Sequence, residues 1–542
     1  MEEKKKNGSF VMQAAILAAA GLLTRIIGLI YGVPLTRIIG DLGNGYYAAA
    51  YNIYAIILLI SSYSIPMAVS KIISAKLVLK EYNNAYRIFI CSILYVVIVG
   101  GIAAVLTFIF APYIVDVEQS VPALRIFAPT IFFSGLLSVF RGYMQAYDTM
   151  VPTSVSQIVE QVLNAVVSVG AAYILTRPFV EAADPTVLPM YGAAGGAMGT
   201  GAGVLAGFAV MLAVYGKRYR SIKEKRQADE KQPDTYKNIF KMILLMVTPV
   251  ILSTAIYNIS TVLDQTVFFK IMGAKHMLKD MAASLYGIYS RKYTVLVNVP
   301  IALASAVSSA MIPGISGAYE LGNKEDACGR VAQAIRFTMM ISIPAAVGMG
   351  VLAQPIMELL FPGTSDVAHR LLSVGVVTVV FYGVSTVTNG VLQGIGKVNI
   401  PMKHAAVALV VHLIFLVPLL YFTNWKLYAI MASTVVYTVM MCLLNAKAVY
   451  KYLGYRQEIK QTFLMPAVAA LIMGIVTFLA YHGMYFLVHS ITLSLAVSVA
   501  VSVIVYFIVL MKVSGFTEEQ LMAFPKGRLL VRLARKFKLL RH

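Results

Sequence analysis

Apolar runs of about twenty residues or more follow one another along almost the whole chain, and no other feature narrows its folding so far. Of 542 residues, 59% are hydrophobic and only 13% charged. A run of that length matches the hydrocarbon core of a bilayer at the helical rise per residue. Inside lipid the backbone must satisfy its own polar groups, so these runs fold as helices.

The spans read as 10–33, 46–70, 87–111, 121–145, 153–176 and 192–215, then 242–269, 283–312, 330–354, 368–395, 402–422 and 427–449, and finally 462–487 and 490–512. The expected fold is an all-α polytopic membrane protein with about 14 transmembrane helices. Two pseudo-symmetric six-helix lobes, 1–215 and 242–450, flank a basic cytoplasmic linker at 216–241. Residues 451–512 carry the last two spans, and 513–542 form a basic amphipathic cytoplasmic tail suited to an anionic lipid surface. The two lobes share a repeat. Pro112-Tyr-Ile, Ala123-Leu-Arg125 and Gly142-Tyr-Met-Gln145 recur as Pro355-Ile-Met, Ala368-His-Arg370 and Gly390-Val-Leu-Gln393. An even number of spans separates the copies, so both lobes point the same way, with a substrate site expected between them.

The net charge of +21 would suggest nucleic acid in a soluble chain. Here most Lys and Arg fall in alternate loops, which places both termini in the cytoplasm and argues against nucleic-acid binding. The apolar stretch after Lys6 is long enough to span and reads as an uncleaved first helix. Cys91, Cys328 and Cys442 have no metal or redox spacing. The outer loops are short and lack the carboxylate or histidine clusters that a membrane-embedded transferase needs, so neither catalytic nor metal residues are expected and transport is the expected activity.

Ionisable and amide residues inside spans then become the candidate substrate site, because they are costly in lipid unless they face water, protein or a partner. Arg25 lies roughly 12 Å inside the first span at the helical rise. Arg291 lies at similar depth in the eighth, with Asn298 two turns on. Guanidinium forks match phosphate oxygens, so the two arginines are expected to clamp a pyrophosphate; internal salt bridges are the alternative. Asn52 precedes Ile53-Tyr54 in the second span, and Gln157, Glu160, Gln161 and Asn164 form one face of the fifth. Glu160 can neutralise Arg25, carry a proton or bond sugar hydroxyls. Lys292 reads as snorkelling. In the seventh span Asn258, Asp264 and Gln265 are candidates for ion coupling, with Asp264–Lys270 pairing as the alternative. His404 and His412 can titrate near neutrality or simply bond within the bundle. Gly195, Gly199, Gly203 and Gly207 form a small-residue stripe for close helix packing.

Thr24-Arg25-Ile-Ile-Gly28 with Arg37-Ile-Ile-Gly40, the Gly-x-x-Gln turns, Ser156-Gln-Ile-Val-Glu160-Gln161, and Asn298-Val-Pro300 leading to Ile312-Pro313 together resemble the multidrug/oligosaccharidyl-lipid/polysaccharide (MOP) flippase superfamily. Within it the chain looks like the polysaccharide-transport and stage V sporulation protein B-like branch, which is similar to the MurJ-type lipid II flippases. The resemblance runs over nearly the whole chain. It implies an alternating-access flippase of the bacterial cytoplasmic membrane, monomeric, moving an undecaprenyl-pyrophosphate-linked oligosaccharide such as lipid II from the inner to the outer leaflet. A multidrug/cation antiporter, or a flippase for capsular or teichoic polysaccharide units, is the alternative. It implies no cofactor beyond a coupling ion, Na+ or H+, or the membrane potential, and no partners beyond the lipid-linked cargo and membrane lipids. Arg25 matches the first-helix arginine of the family motif. Tyr31 and Leu296 stand where lipid II flippases carry further cavity arginines, and His404 and His412 replace acidic partners of the coupling carboxylate that Asp264 matches.

Overall fold

The computed structural model describes residues 2–59, 65–147, 150–514 and 531–532, without the side chains of 2–15, 18, 65, 67–68, 246–258 and 307. Nearly all of the expected tail therefore lies outside the described residues. All the regular structure among the described residues is helical. The chain forms α1 (Glu2–Leu58), α2 (Ile65–Val78), α3 (Tyr82–Ile114), α4 (Val121–Gln145), α5 (Val151–Thr176), α6 (Val187–Gln227) and α7 (Tyr236–Ala274). Helix α8 (Lys279–Gly287) passes through a π-helical stretch, Ile288–Tyr293, into α9 (Thr294–Glu320). There follow α10 (Lys324–Val351), α11 (Ala353–Leu360), α12 (Asp366–Gly375), α13 (Val377–Gly394), α14 (Asn399–Phe422), α15 (Leu427–Leu453), α16 (Met465–Val488) and α17 (Ile491–Ser514).

Eleven of the described helical stretches are long and apolar enough to cross a membrane, or 12 if the bent pair α12–α13 counts as one span. Two expected spans account for the difference from the sequence reading. The seventh lies within α7, part of whose side chains are outside the description. The first two are merged, since no loop separates them. Helix α1 runs on through Pro34 and departs from helical geometry at Gly40 (φ 68°, ψ −176°), a backbone region essentially reserved for glycine. The 46–70 span is then divided between the end of α1 and α2.

The faces of these helices read as lipid-exposed. Along α3, Leu94, Ile98, Ile102, Val105 and Ile109 are all exposed, an arrangement that water would penalise and hydrocarbon does not.

The chain resolves into two compact units, Met1–Lys292 with Leu413–Ile430, and Tyr293–His412 with Met431–His542. In the first, Ile73, Ile88, Phe89, Phe140, Tyr143 and Met211 pack a core among α2, α3, α4 and α6. The glycine stripe of α6 lies against α5, as its spacing predicts. A Cβ on Gly195 would fall 2.5 Å from the Ala172 nitrogen, one on Gly199 2.4 Å from the Ser168 nitrogen, and one on Gly203 2.4 Å from the Glu160 carbonyl. In the second unit, Ile335, Met339, Val387, Val391, Leu392 and Val449 form the core of α10, α13 and α15. His404 Nδ1 lies 2.7 Å from Asn445 Oδ1, and Asn445 donates to Thr388 and Asn389. That matches the bundle-bonded reading of this histidine.

The basic segment 216–241 is mostly helix. Lys, Arg and Glu are good helix formers, no Pro or Gly interrupts 217–227, and Arg220 pairs with Glu224 one turn on (3.2 Å). Only its middle is loop, and that loop is docked on the α2–α3 turn. Lys76 Nζ bridges Glu81 (2.7 Å) and Asp234 (3.0 Å), Asn83 N donates to Asp229 (2.7 Å), and Asp234 N donates to Asn84 (2.7 Å). The Lys76 ammonium and the Asn84 amide hold the Glu81 carboxyl below its ordinary range. A lowered carboxyl contributes stability at neutral pH that is lost as pH falls through the lowered value. Trypsin cleavage at Lys231 is therefore expected to accelerate on acidification in wild type, after correction for trypsin's own pH profile, and to be faster at neutral pH and less pH-dependent in Glu81→Gln.

Candidate functional site

The fifth-helix polar face and the second half of α1 meet around one cavity of about 360 Å³ in the first unit. Ligand pockets have volumes of this order. From α1 come Tyr31, Tyr47, Tyr51 and Tyr54, from α4 Ser134, Ser138 and Arg141, from α5 Glu160, Gln161 and Asn164, from α6 Thr200, and from the π-helical stretch Arg291. The spacing Tyr47, Tyr51, Tyr54 places three rings on one face of α1. A π turn re-aims consecutive side chains, and such turns recur at functional sites. Here Arg291 enters the cavity while the adjacent Lys292 is buried against Asp41, Nζ to Oδ1 2.5 Å.

Lys292 is thus not snorkelling. It is 3% exposed, because the close approach of α8 to the Gly40 break brings a carboxylate within its reach. Glu160 does not neutralise Arg25 either. Its partner is Arg141, Nη2 to Oε2 2.6 Å, whose Nε also donates to Ser156 Oγ (2.9 Å). Arg141 sits 15 residues before Ser156 across the α4–α5 turn, so chain proximity brings this pair together.

Arg291 takes a different environment. Its guanidinium lies 4.5 Å over the Tyr47 ring, with the Tyr31 hydroxyl in hydrogen-bonding reach. Tyr31 accepts from Asn164 Nδ2 (3.4 Å), and Asn164 accepts from Ser168 Oγ (2.8 Å). Among the charged residues described around the cavity, two are cationic and one is anionic, and Glu160 is already matched by Arg141.

Four of the expected substrate residues, Glu160, Gln161, Asn164 and Arg291, line this cavity together. The other four do not. Arg25 is exposed on α1, and Asn298 is exposed on α9 in the second unit. Gln157 is half-buried, its Oε1 without a hydrogen-bond partner among the described residues. Asn52 turns away from the tyrosine face and donates to Gln265 Oε1 (2.7 Å) and Tyr286 Oη (3.1 Å). Of the expected coupling residues, Asp264 and Gln265 are buried, and the Asn258 side chain lies outside the described residues. Gln265 Nε2 donates to Asp116 Oδ2 (3.1 Å) and the Ala49 carbonyl (3.3 Å). In the short loop before α4, burial pushes the Asp116 carboxyl up, opposed by that Gln265 bond and by Lys270.

Sequence reasoning missed Arg141 and the tyrosines. The signals were present: Arg141 directly precedes the Gly142-Tyr-Met-Gln145 turn, and Tyr51-Asn-Ile-Tyr54 recurs in the second half of the chain as Tyr286-Gly-Ile-Tyr289. Tyrosines in an apolar helix look like ordinary packing until a cavity is seen beside them.

The sequence pattern described as "Polysaccharide biosynthesis protein" matches residues 10–318, more than half of the chain. The chain belongs to the polysaccharide biosynthesis protein family. A second pattern, "MatE", matches 249–417 of this family member, which is a transporter of the MOP superfamily and not an enzyme. It is 25% identical over 512 residues to the lipid II flippase MurJ of Bacillus subtilis, covering 88% of each chain. It is 24% identical over 468 residues to stage V sporulation protein B of the same organism, covering 85% of this chain and 87% of that one. Among solved structures, the inward-closed conformation of lipid II flippase MurJ superposes with a TM-score of 0.67 at 16% identity, over 91% of this chain and 97% of that chain. An inward-facing multidrug resistance MATE transporter superposes at 0.61 and 16% identity, over 81% and 98%. The polysaccharide biosynthesis protein fold is therefore the all-helical polytopic fold shared by both.

Proposed function

We propose that this transporter is an alternating-access flippase carrying a polyprenyl-pyrophosphate-linked oligosaccharide, of the lipid II kind, from the inner to the outer leaflet of the bacterial cytoplasmic membrane. The observation that carries the reading is the charge of the cavity. Glu160 is matched by Arg141, which leaves Arg291 as the surplus charge, beside amides and hydroxyls suited to sugars. An exporter of organic cations needs the opposite sign. A relative named as a lipid II flippase supports the same direction.

In this reading the lobes 1–215 and 242–450 alternate between inward-open and outward-open states, with both termini cytoplasmic. Arg291 holds phosphate oxygens, Glu160, Gln161 and Asn164 meet sugar groups, and Arg25, Gln157, Asn52 and Asn298 serve the path of the headgroup. Asp264, Asn258 and Gln265 couple the cycle to Na+ or H+.

Proteoliposomes loaded with fluorescent lipid II provide the test. Wild type is expected to translocate it, and Arg291→Ala to lose at least about tenfold in rate, the usual cost of one charge-assisted contact; Arg25→Ala, at an exposed arginine outside the cavity lining, is expected to lose less. Efflux of a cationic dye without lipid movement would reject the flippase in favour of the exporter.

A further inference from the structure

We infer that Tyr51 is the sugar-reading residue of this cavity, an aromatic platform on which a pyranose ring of the cargo stacks next to the phosphate held at Arg291. The inference rests on the flippase reading and adds to it the residue that distinguishes a glycosylated lipid from a bare one.

The three α1 tyrosines have unequal exposure. Tyr47 is 2% and Tyr54 3% exposed, whereas Tyr51 is 39% exposed and lines the cavity. Its neighbours fix it. Tyr47 stacks beside it at 5.7 Å with ring planes 13° apart, Tyr54 lies at 5.7 Å, and Phe127 meets it edge-on at 5.8 Å. Phe127 in turn stacks on Tyr54 at 4.6 Å. A ring partly exposed at the cavity and backed by three buried ones is preorganised for a flat ligand and loses little freedom on binding.

The ligand class follows from what the rings already hold. Arg291 covers Tyr47, so the protein itself supplies the cation for that face and repels another. A pyranose, by contrast, presents a face of C–H groups carrying slight positive charge, which suits the negative face of an aromatic ring. Its hydroxyls and N-acetyl groups then need polar partners, and Glu160, Gln161, Asn164, Ser138 and Thr200 line the same cavity. With phosphate at Arg291, the first sugar falls at the adjacent tyrosine face.

The test measures binding of two probes to the full-length protein in nanodiscs: undecaprenyl pyrophosphate, and the same lipid carrying N-acetylglucosamine. Wild type is expected to prefer the glycosylated lipid. Tyr51→Phe, which keeps the ring, should retain that preference, and Tyr51→Leu, which keeps apolar bulk, should lose about three- to tenfold in affinity for the glycosylated lipid alone. Arg291→Ala should weaken both lipids together. Preference retained in Tyr51→Leu, or equal losses for both lipids in that variant, would overturn the assignment while leaving the flippase reading standing. If neither lipid binds wild type, the flippase reading itself falls and the platform with it.

Discussion

Gly199→Ala is expected to destabilise the purified protein by about 3 kcal/mol, the upper end for overpacking, because the added methyl meets the Ser168 backbone as well as its hydroxyl, and turning the hydroxyl aside leaves the backbone clash in place. The new Cβ would sit 2.0 Å from Ser168 Oγ, 2.4 Å from the Ser168 nitrogen and 2.6 Å from its Cα. Helices α5 and α6 must separate to admit it. Gly203→Ala should do similar damage and also reach the cavity, since its Cβ would press on the Glu160 carbonyl at 2.4 Å and the Asn164 Cβ at 3.0 Å. Thermal unfolding in detergent measures the first effect, and lipid translocation by protein that remains folded measures the second. Gly170→Ala is the control, with nothing within 4 Å of the added carbon. Melting temperatures for all three within about a degree of wild type would show that the stripe is not a close-packed seam.

Lys292→Met is expected to cost about 2–3 kcal/mol, somewhat below the range for breaking a fully buried pair, because the Asp41 side chain keeps 23% of its surface exposed. The loss comes from the carboxylate left behind at the α1 break, more than from the attraction removed. Asp41→Asn with Lys292→Met should therefore recover most of the stability, since two groups without charge replace two with it. A double variant as unstable as the single would mean that Lys292 acts through its other contacts. Transport should separate this pair from its neighbour in sequence: Arg291→Ala loses cargo movement with an unchanged melting temperature, and Lys292→Met loses stability first.

These two adjacent residues illustrate what could be read from the chain alone. Both were visible as cations in an apolar span, where the bilayer makes any charge informative. Their opposite fates depend on a π-helical stretch that no residue pattern announces. In the same way, Gln157, Glu160, Gln161 and Asn164 were legible as one inward face, but the partner of Glu160 was not. Arg141 lies near the end of its span, where a basic residue ordinarily reads as a loop charge. Arg25 was singled out by depth, and depth along a helix does not say which side of it a cavity lies on.

Membership of the class followed from sequence by itself, because a bilayer leaves an apolar run of spanning length only one regular structure. The close seam between α5 and α6 was likewise implicit in glycines four residues apart. Only the tertiary structure decided which polar side chains share a cavity, that Gly40 breaks one long helix where a loop was expected, and that a row of tyrosines is a wall of the site. Such facts depend on the azimuth of each helix and on contacts between residues far apart in the chain. Hydropathy reports how deep a residue lies, and packing alone determines what it faces.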